Sequence, residues 1–151
     1  MSLKNSLVGR SLISVRGSVY FIEYTPNVES FPIEDIIDFY FVFNDFSFTV
    51  QGSSSGDKIV MRDNNTLHNI DMDNHGYIKV LGLLDILEID SYVGLEVCDV
   101  QDIVISENKV GISIIFSEVE QIIIINLGDE LFFFKELPEV LVNEGYRMIS
   151  I

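Results

Sequence analysis

Apolar and polar residues alternate along this chain in short runs separated by turn-forming residues, a pattern of strands more than of amphipathic helices. In Phe46-Ser-Phe-Thr-Val-Gln51 the period is two, which predicts a strand with one buried and one wet face. Residues 36–43 predict the strand before it, with Asn44-Asp45 as a turn whose residues both tolerate positive φ. Further upstream, 7–15 alternates loosely and 19–24 is β-rich, so Gly17-Ser18 between them is expected to turn a hairpin. Thr25-Pro26-Asn27 then reads as a turn and 28–32 as a loop. Residues 52–56 predict a loop tip leading into a strand at 58–61, and 77–81 predicts another. In the later part of the chain, strands are expected at 93–97, 103–105, 110–116, 121–126, 131–134 and 146–151. The runs Ile122–Ile125 and Phe132–Phe134 are too apolar for a strand with one wet face. They predict central strands buried on both sides, or an oligomer interface. Residues 138–143 predict one helical turn stopped by Gly145, and 83–89 fits either a short helix or a buried strand.

Landmarks within these elements recur in the same order. Val8-Gly9, Phe43-Asn44-Asp45, Gly56-Asp57 and Asn74-His75-Gly76-Tyr77 are matched by Val93-Gly94, Phe116-Ser117-Glu118, Gly128-Asp129 and Asn143-Glu144-Gly145-Tyr146. The offset shrinks slowly, from 85 (8 to 93) to 69 (74 to 143), as expected of a diverged tandem duplication. One domain, 1–151, is therefore expected, built from two repeats at about 7–81 and 92–151. The fold class is mainly β: two antiparallel meanders sharing one core as a sandwich or barrel, with one or two short helices. An α+β arrangement with 83–89 helical is the alternative. Fold requirements act on both copies alike, so Asp57, Asp129, Asn74 and Asn143 are assigned to turns.

Composition supports a packed β domain. Apolar residues make up 48% of the chain, enough for a sizeable core, and Ala, the best helix former, is absent. The net charge of −15 disfavours binding to nucleic acids and anionic membranes. The charge is uneven: residues 1–80 carry six Lys/Arg and ten Asp/Glu, a balance of −4, and 81–151 carry three and fourteen, a balance of −11. A single cysteine, no signal-peptide pattern and no apolar run of membrane-spanning length lead to the expectation of a cytoplasmic protein.

Candidate chemistry is sparse. The chain lacks a phosphate-binding Gly-x-x-x-x-Gly-Lys-Ser/Thr, a Gly-x-Gly-x-x-Gly, a Gly-x-Ser-x-Gly elbow and a Cys-x-x-Cys. The polar stretch 62–75 reads as a surface loop with one helical turn. His68, Asp71, Asp73 and His75 within it are potential metal ligands. However, an EF-hand loop counted from Asp71 would need Glu where Gly82 stands, so no metal or other cofactor is expected. Cys98 reads as a small buried apolar residue, since both histidines lie in that distant loop. What remains is the acidic segment between Lys79 and Lys109, which contains no basic residue. Glu88, Asp90, Glu96, Asp99, Asp102 and Glu107 are the candidate partner-binding residues, because dense carboxylates steer a cationic partner.

The stretch Ile122-Ile-Ile-Ile-Asn126-Leu-Gly128-Asp129-Glu130-Leu131 resembles a strand–turn–strand near the end of a group of small uncharacterised bacterial proteins, in which an apolar strand runs into Asn-x-Gly-Asp-Glu-Leu. The resemblance implies a bacterial cytosolic protein, similar in character to toxin-neutralising immunity proteins, and carries over no site residue. The leading functional expectation is thus a non-enzymatic acidic protein that engages a basic protein partner, in the form of a toxin-immunity protein or an inhibitor. The alternatives are a self-assembling β module forming a homo-oligomer such as a homodimer, and an enzyme with a pocket between the repeats.

Overall fold

A computed structural model of the chain describes residues 2–23, 31–63 and 67–151. It opens with a short helix, α1 (Leu3–Leu7), whose N-cap Ser2 accepts a hydrogen bond from the Asn5 amide at 3.1 Å. Strands β1 (Leu12–Phe21), β2 (Ile36–Phe43), β3 (Phe46–Gly52), β4 (Ile59–Asp63), β5 (Ile70–Asp71) and β6 (Tyr77–Gly82) form one antiparallel sheet, in the order β4-β3-β2-β1-β6-β5. Strands β7 (Asp99–Ile105), β8 (Asn108–Ile115), β9 (Gln121–Leu127), β10 (Glu130–Phe134) and β11 (Arg147–Ser150) form the second, in the order β10-β9-β8-β7-β11. Helix α2 (Glu139–Asn143) precedes β11. Among the described residues the protein is mainly β, with two short α-helices and two open sheets.

The sheets share a path: four strands in meander, then a closing strand beside the first. Gly56-Asp57 and Gly128-Asp129 lie in equivalent hairpin loops. Gly76 and Gly145, at φ of 103° and 104°, lead into the two closing strands. The sheets also meet symmetrically where they join. Gly9 N–H donates to the Val97 carbonyl at 2.8 Å, and Gly94 N–H to that of Leu12 at 2.9 Å. Likewise Val97 N–H donates to Arg10 at 2.9 Å and Leu12 N–H to Leu95 at 3.1 Å. Each pair of bonds interconverts under an exchange of residues 85 apart (9 with 94, 10 with 95, 12 with 97), about the isolated bridge Ser11–Glu96. This is a local two-fold relation inside one chain. Val8 and Val93, exposed by 45% and 44%, stand in equivalent places.

The main core lies between the sheets. Val15, Val19, Phe39, Phe41, Phe48 and Val50 of the first sheet share it with Val100, Ile112, Ile114, Ile122, Ile124 and Leu131 of the second. The rings of Phe41 and Phe48 stack at 5.3 Å. Each such side chain contributes about 1.5–3 kcal/mol by burial. A second cluster, Ile103, Val110, Ile123, Ile125 and Leu141, lies on the other face of the second sheet, where Leu141 of α2 joins it. The four-isoleucine run is therefore buried on both faces, as its apolarity requires.

Several local expectations are corrected. Gly17-Ser18 makes no hairpin; β1 runs through it, and a Cβ at 17 would stand 2.6 Å from Leu83 Cδ1 and 3.0 Å from the Asp38 carbonyl oxygen. That glycine serves close packing. Residue 7, expected to open a strand segment, ends α1 instead, in which Leu3 and Leu7, one turn apart, both pack on the core. Residues 93–97 contribute one bridge and no strand. Phe132–Phe134 lies in an edge strand, half-buried. Residues 83–89 form one helical turn that closes with Ile89 N–H on the Leu84 carbonyl and Glu88 N–H on that of Asp85, with Glu88 at φ 57°. The turn expected at Thr25-Pro26-Asn27 lies outside the described residues.

Candidate functional site

A cleft of about 470 Å³ lies where residues of the first sheet and its entry loop face the β9–β10 turn of the second. One wall is the entry to β2, with Asp35, Ile36, Ile37 and Asp38, together with Tyr20 of β1. The other is the start of β10, with Asp129, Glu130 and Leu131, and Gly52-Ser53 completes it. Its shape follows from local sequence. A register shift between Ser18 and Val19 leaves Ile37 unpaired with β1 and bends β2 beside Asp38. The Tyr20 hydroxyl donates to the His75 carbonyl at 2.7 Å, which ties β1 to the turn before β6. The two Gly-Asp turns come together here: a Cβ on Gly56 would clash with the Asp129 carboxylate.

Among the described residues, the lining holds four carboxylates, Asp35, Asp38, Asp129 and Glu130, and no Lys or Arg. Burial raises the Asp38 pKa above the usual carboxylate range, partly offset by a hydrogen bond with Ser18. Asn126, which pairs with the lining residue Leu131 across β9 and β10, is 4% exposed. Its amide donates to the Lys58 carbonyl at 2.9 Å, while its Oδ1 meets no donor. The walls offer acceptors, and cationic donors satisfy acceptors of this kind best. Ser53 is the one lining hydroxyl of serine type, and its partners are Ser55 and the Lys58 amide. No histidine or cysteine lines the cleft, so it contains no base–nucleophile pair of the serine or cysteine kind.

The six carboxylates singled out from sequence occupy different places. Glu88 and Asp90 lie in the connector before the second sheet, where Lys135 Nζ donates to the Glu88 carbonyl at 2.7 Å. Glu96 is exposed in the bridge with Ser11, and Glu107 is exposed in the β7–β8 turn. Asp99 and Asp102 are both on β7, but an odd separation of three residues directs them to opposite faces. Each has a lysine at 3.0 Å: Lys4 for Asp99 and Lys109 for Asp102. The Lys4 hydrogen bond is the main cause of a lowered Asp99 pKa.

Cys98, expected to be buried, is exposed just before β7, where its N–H rather than its side chain is held, by the Ile115 carbonyl at 2.8 Å. In the polar stretch, Asp71 Oδ1 accepts from the Asp73 amide at 2.9 Å, and Asp73–His75 form a 3-10 turn. Among the described residues no helix is long and apolar enough to cross a membrane. The cleft carboxylates escaped the sequence reading because Asp35 and Asp38 belong to an ordinary strand entry and Asp129 to a turn. The available signal was the paired Gly-Asp loops, which lie together. Comparison with protein-family models, curated proteins and solved structures finds no match to this chain.

Proposed function

We propose that this chain is a non-enzymatic acidic binding protein whose cleft between the two repeats receives cationic side chains of a basic protein partner. The observation that carries the reading is the lining itself: four carboxylates without a basic residue, in a chain of net charge −15. A cluster of this sign attracts Lys and Arg over a distance and orders them by hydrogen bonding on arrival. The carboxylates on β7 serve this role less well, because Lys4 and Lys109 already engage them. An inhibitor or toxin-immunity protein, which masks the working surface of a cationic partner, is the biological form that suits such a cleft.

The test compares two sets of neutralised variants against a lysine-rich peptide, by fluorescence anisotropy at low and high salt. Asp35→Asn, Asp38→Asn, Asp129→Asn and Glu130→Gln together are expected to weaken binding about tenfold or more. Neutralising Glu88, Asp90, Glu96, Asp99, Asp102 and Glu107 together should have the smaller effect. Affinity that ignores both salt and the cleft substitutions would overturn the proposal.

A further inference from the structure

Near its end, the isoleucine-rich strand β9 carries a polar residue that faces the core. By alternation Ile122, Ile124 and Asn126 share one face of β9, the face turned toward the first sheet. Asn126 is 4% exposed. Its Nδ2 donates to the Lys58 carbonyl, an arrangement that fixes which way the carboxamide points, and among the described residues its Oδ1 meets no donor. Folded proteins pair nearly all buried acceptors, so one left open in the interior marks a place where a donor belongs.

Two neighbours set that carboxamide against the acidic cleft. Leu131 is its direct partner across β9 and β10, so both side chains project to the same face, and Leu131 lines the cleft. Gly52 lines the cleft from the first sheet, and a Cβ there would stand 3.3 Å from Asn126 Nδ2. The φ of Gly52 lies outside the left-handed region, so the backbone does not require glycine at this position. What glycine does here is leave the Asn126 carboxamide bordering the cleft, as strand glycines do where another group approaches closely. The lining around it is apolar at Ile36, Ile37 and Leu131 and carries the four carboxylates already described.

We infer that the cleft selects lysine over arginine in the partner: a lysine stem lies along Ile36, Ile37 and Leu131, and its ammonium enters beside Gly52 and donates to Asn126 Oδ1. The inference rests on the function proposed above and names the side chain that the cleft reads. An ammonium is a compact head with three rotatable donors, so one N–H serves the buried acceptor and the others turn to the carboxylates. A guanidinium is a wide planar fork, matched best by paired carboxylate oxygens and poorly by one acceptor deep in the interior. The ammonium gives up water to reach Asn126, and the carboxylates of the lining offset that loss.

Peptide chemistry separates lysine from positive charge in general. Two short peptides, one alternating Lys with Val and the other homoarginine with Val, share stem length and charge and differ only in the cationic head. Fluorescence anisotropy is expected to show the lysine peptide bound about tenfold or more tighter. That preference should shrink to within about twofold in Gly52→Ala, whose methyl group occupies the way to Asn126. In the parent protein, the NMR signals of the Asn126 side-chain amide should shift with the lysine peptide only. Equal affinities that still fall when the four cleft carboxylates are neutralised would overturn lysine selection and leave the acidic binding site standing. So would a lysine preference that persists in Gly52→Ala, or amide signals that stay in place at saturation. Binding unaffected by the neutralisation would remove the binding site itself. Cadaverine binding as tightly as the lysine peptide, with the same shift, would assign the site to a free diamine and overturn the partner as its source.

Discussion

Asp38 occupies an environment that a carboxylate does not prefer. Burial raises its pKa, with the Ser18 hydrogen bond opposing, so the folded state holds this proton more tightly than the unfolded chain does. The contribution to stability is therefore complete below the pKa of the unfolded chain and is lost as pH rises through the raised folded value. Asp38→Asn should gain stability relative to the parent at neutral pH and gain none in acid, as measured by urea denaturation across pH. Asp99 has the opposite sign, because the bond from Lys4 holds its pKa down. Its contribution is present above the unfolded value and fades as pH falls through the lowered one. Gly111 gives a prediction of a steric kind. A Cβ there would stand 2.5 Å from the Ile124 carbonyl oxygen, and main chain in the middle of a sheet has little room to yield. Gly111→Ala should cost about 1–3 kcal/mol in chemical denaturation.

Among the elements, the connector between the sheets shows how a short segment can satisfy two patterns at once. Leu83, Leu87 and Ile89 are buried with the spacing of a strand or of a helix, and the chain takes one helical turn. It ends on Glu88 at positive φ, a conformation that costs an L-residue with a Cβ roughly 1 kcal/mol. Glu88→Gly should recover about 0.5–1 kcal/mol, seen as a raised denaturation midpoint, without altering the cleft. Strand elements were legible from sequence where period or apolarity was extreme, as in 36–43, 121–126 and the turns between them. Gly17-Ser18 misled because glycine marks both turns and close approaches, and only the packing of Leu83 onto β1 tells them apart. The edge position of Phe132–Phe134 was equally hidden, since apolarity reports burial by any means and gives no strand order. The cleft depends on such order, so its four carboxylates could not be assembled from spacing alone.

At the scale of the whole molecule, one core joins both sheets, and the two sheets follow a similar backbone path. The shared core predicts cooperative unfolding. Leu12, 1% exposed, lies where the sheets join and packs in that core. Leu12→Ala should cost about 2–5 kcal/mol. Hydrogen exchange should show amides of β2 and β9 losing protection together; loss confined to the first sheet would mean that the halves unfold separately. The asymmetry between the halves is also informative. The second sheet has apolar clusters on both faces, while Arg16, Tyr40 and Arg62 occupy the outward face of the first. The acidic surplus of the second half accordingly concentrates in loops, the connector and strand ends.

The reciprocal bonds about Ser11 and Glu96 impose an order of events on folding. The main-chain groups of Gly9, Arg10 and Leu12 find their partners in a segment about 85 residues further along, so closing that junction requires a long loop to be bridged. During synthesis, the bonds of that junction wait until residues 94–97 have emerged. The meander of β1 to β3, with its short turns, can form well before then. Substitutions at the junction should thus speed unfolding and leave the refolding rate nearly unchanged, the behaviour of contacts made after the rate-limiting step.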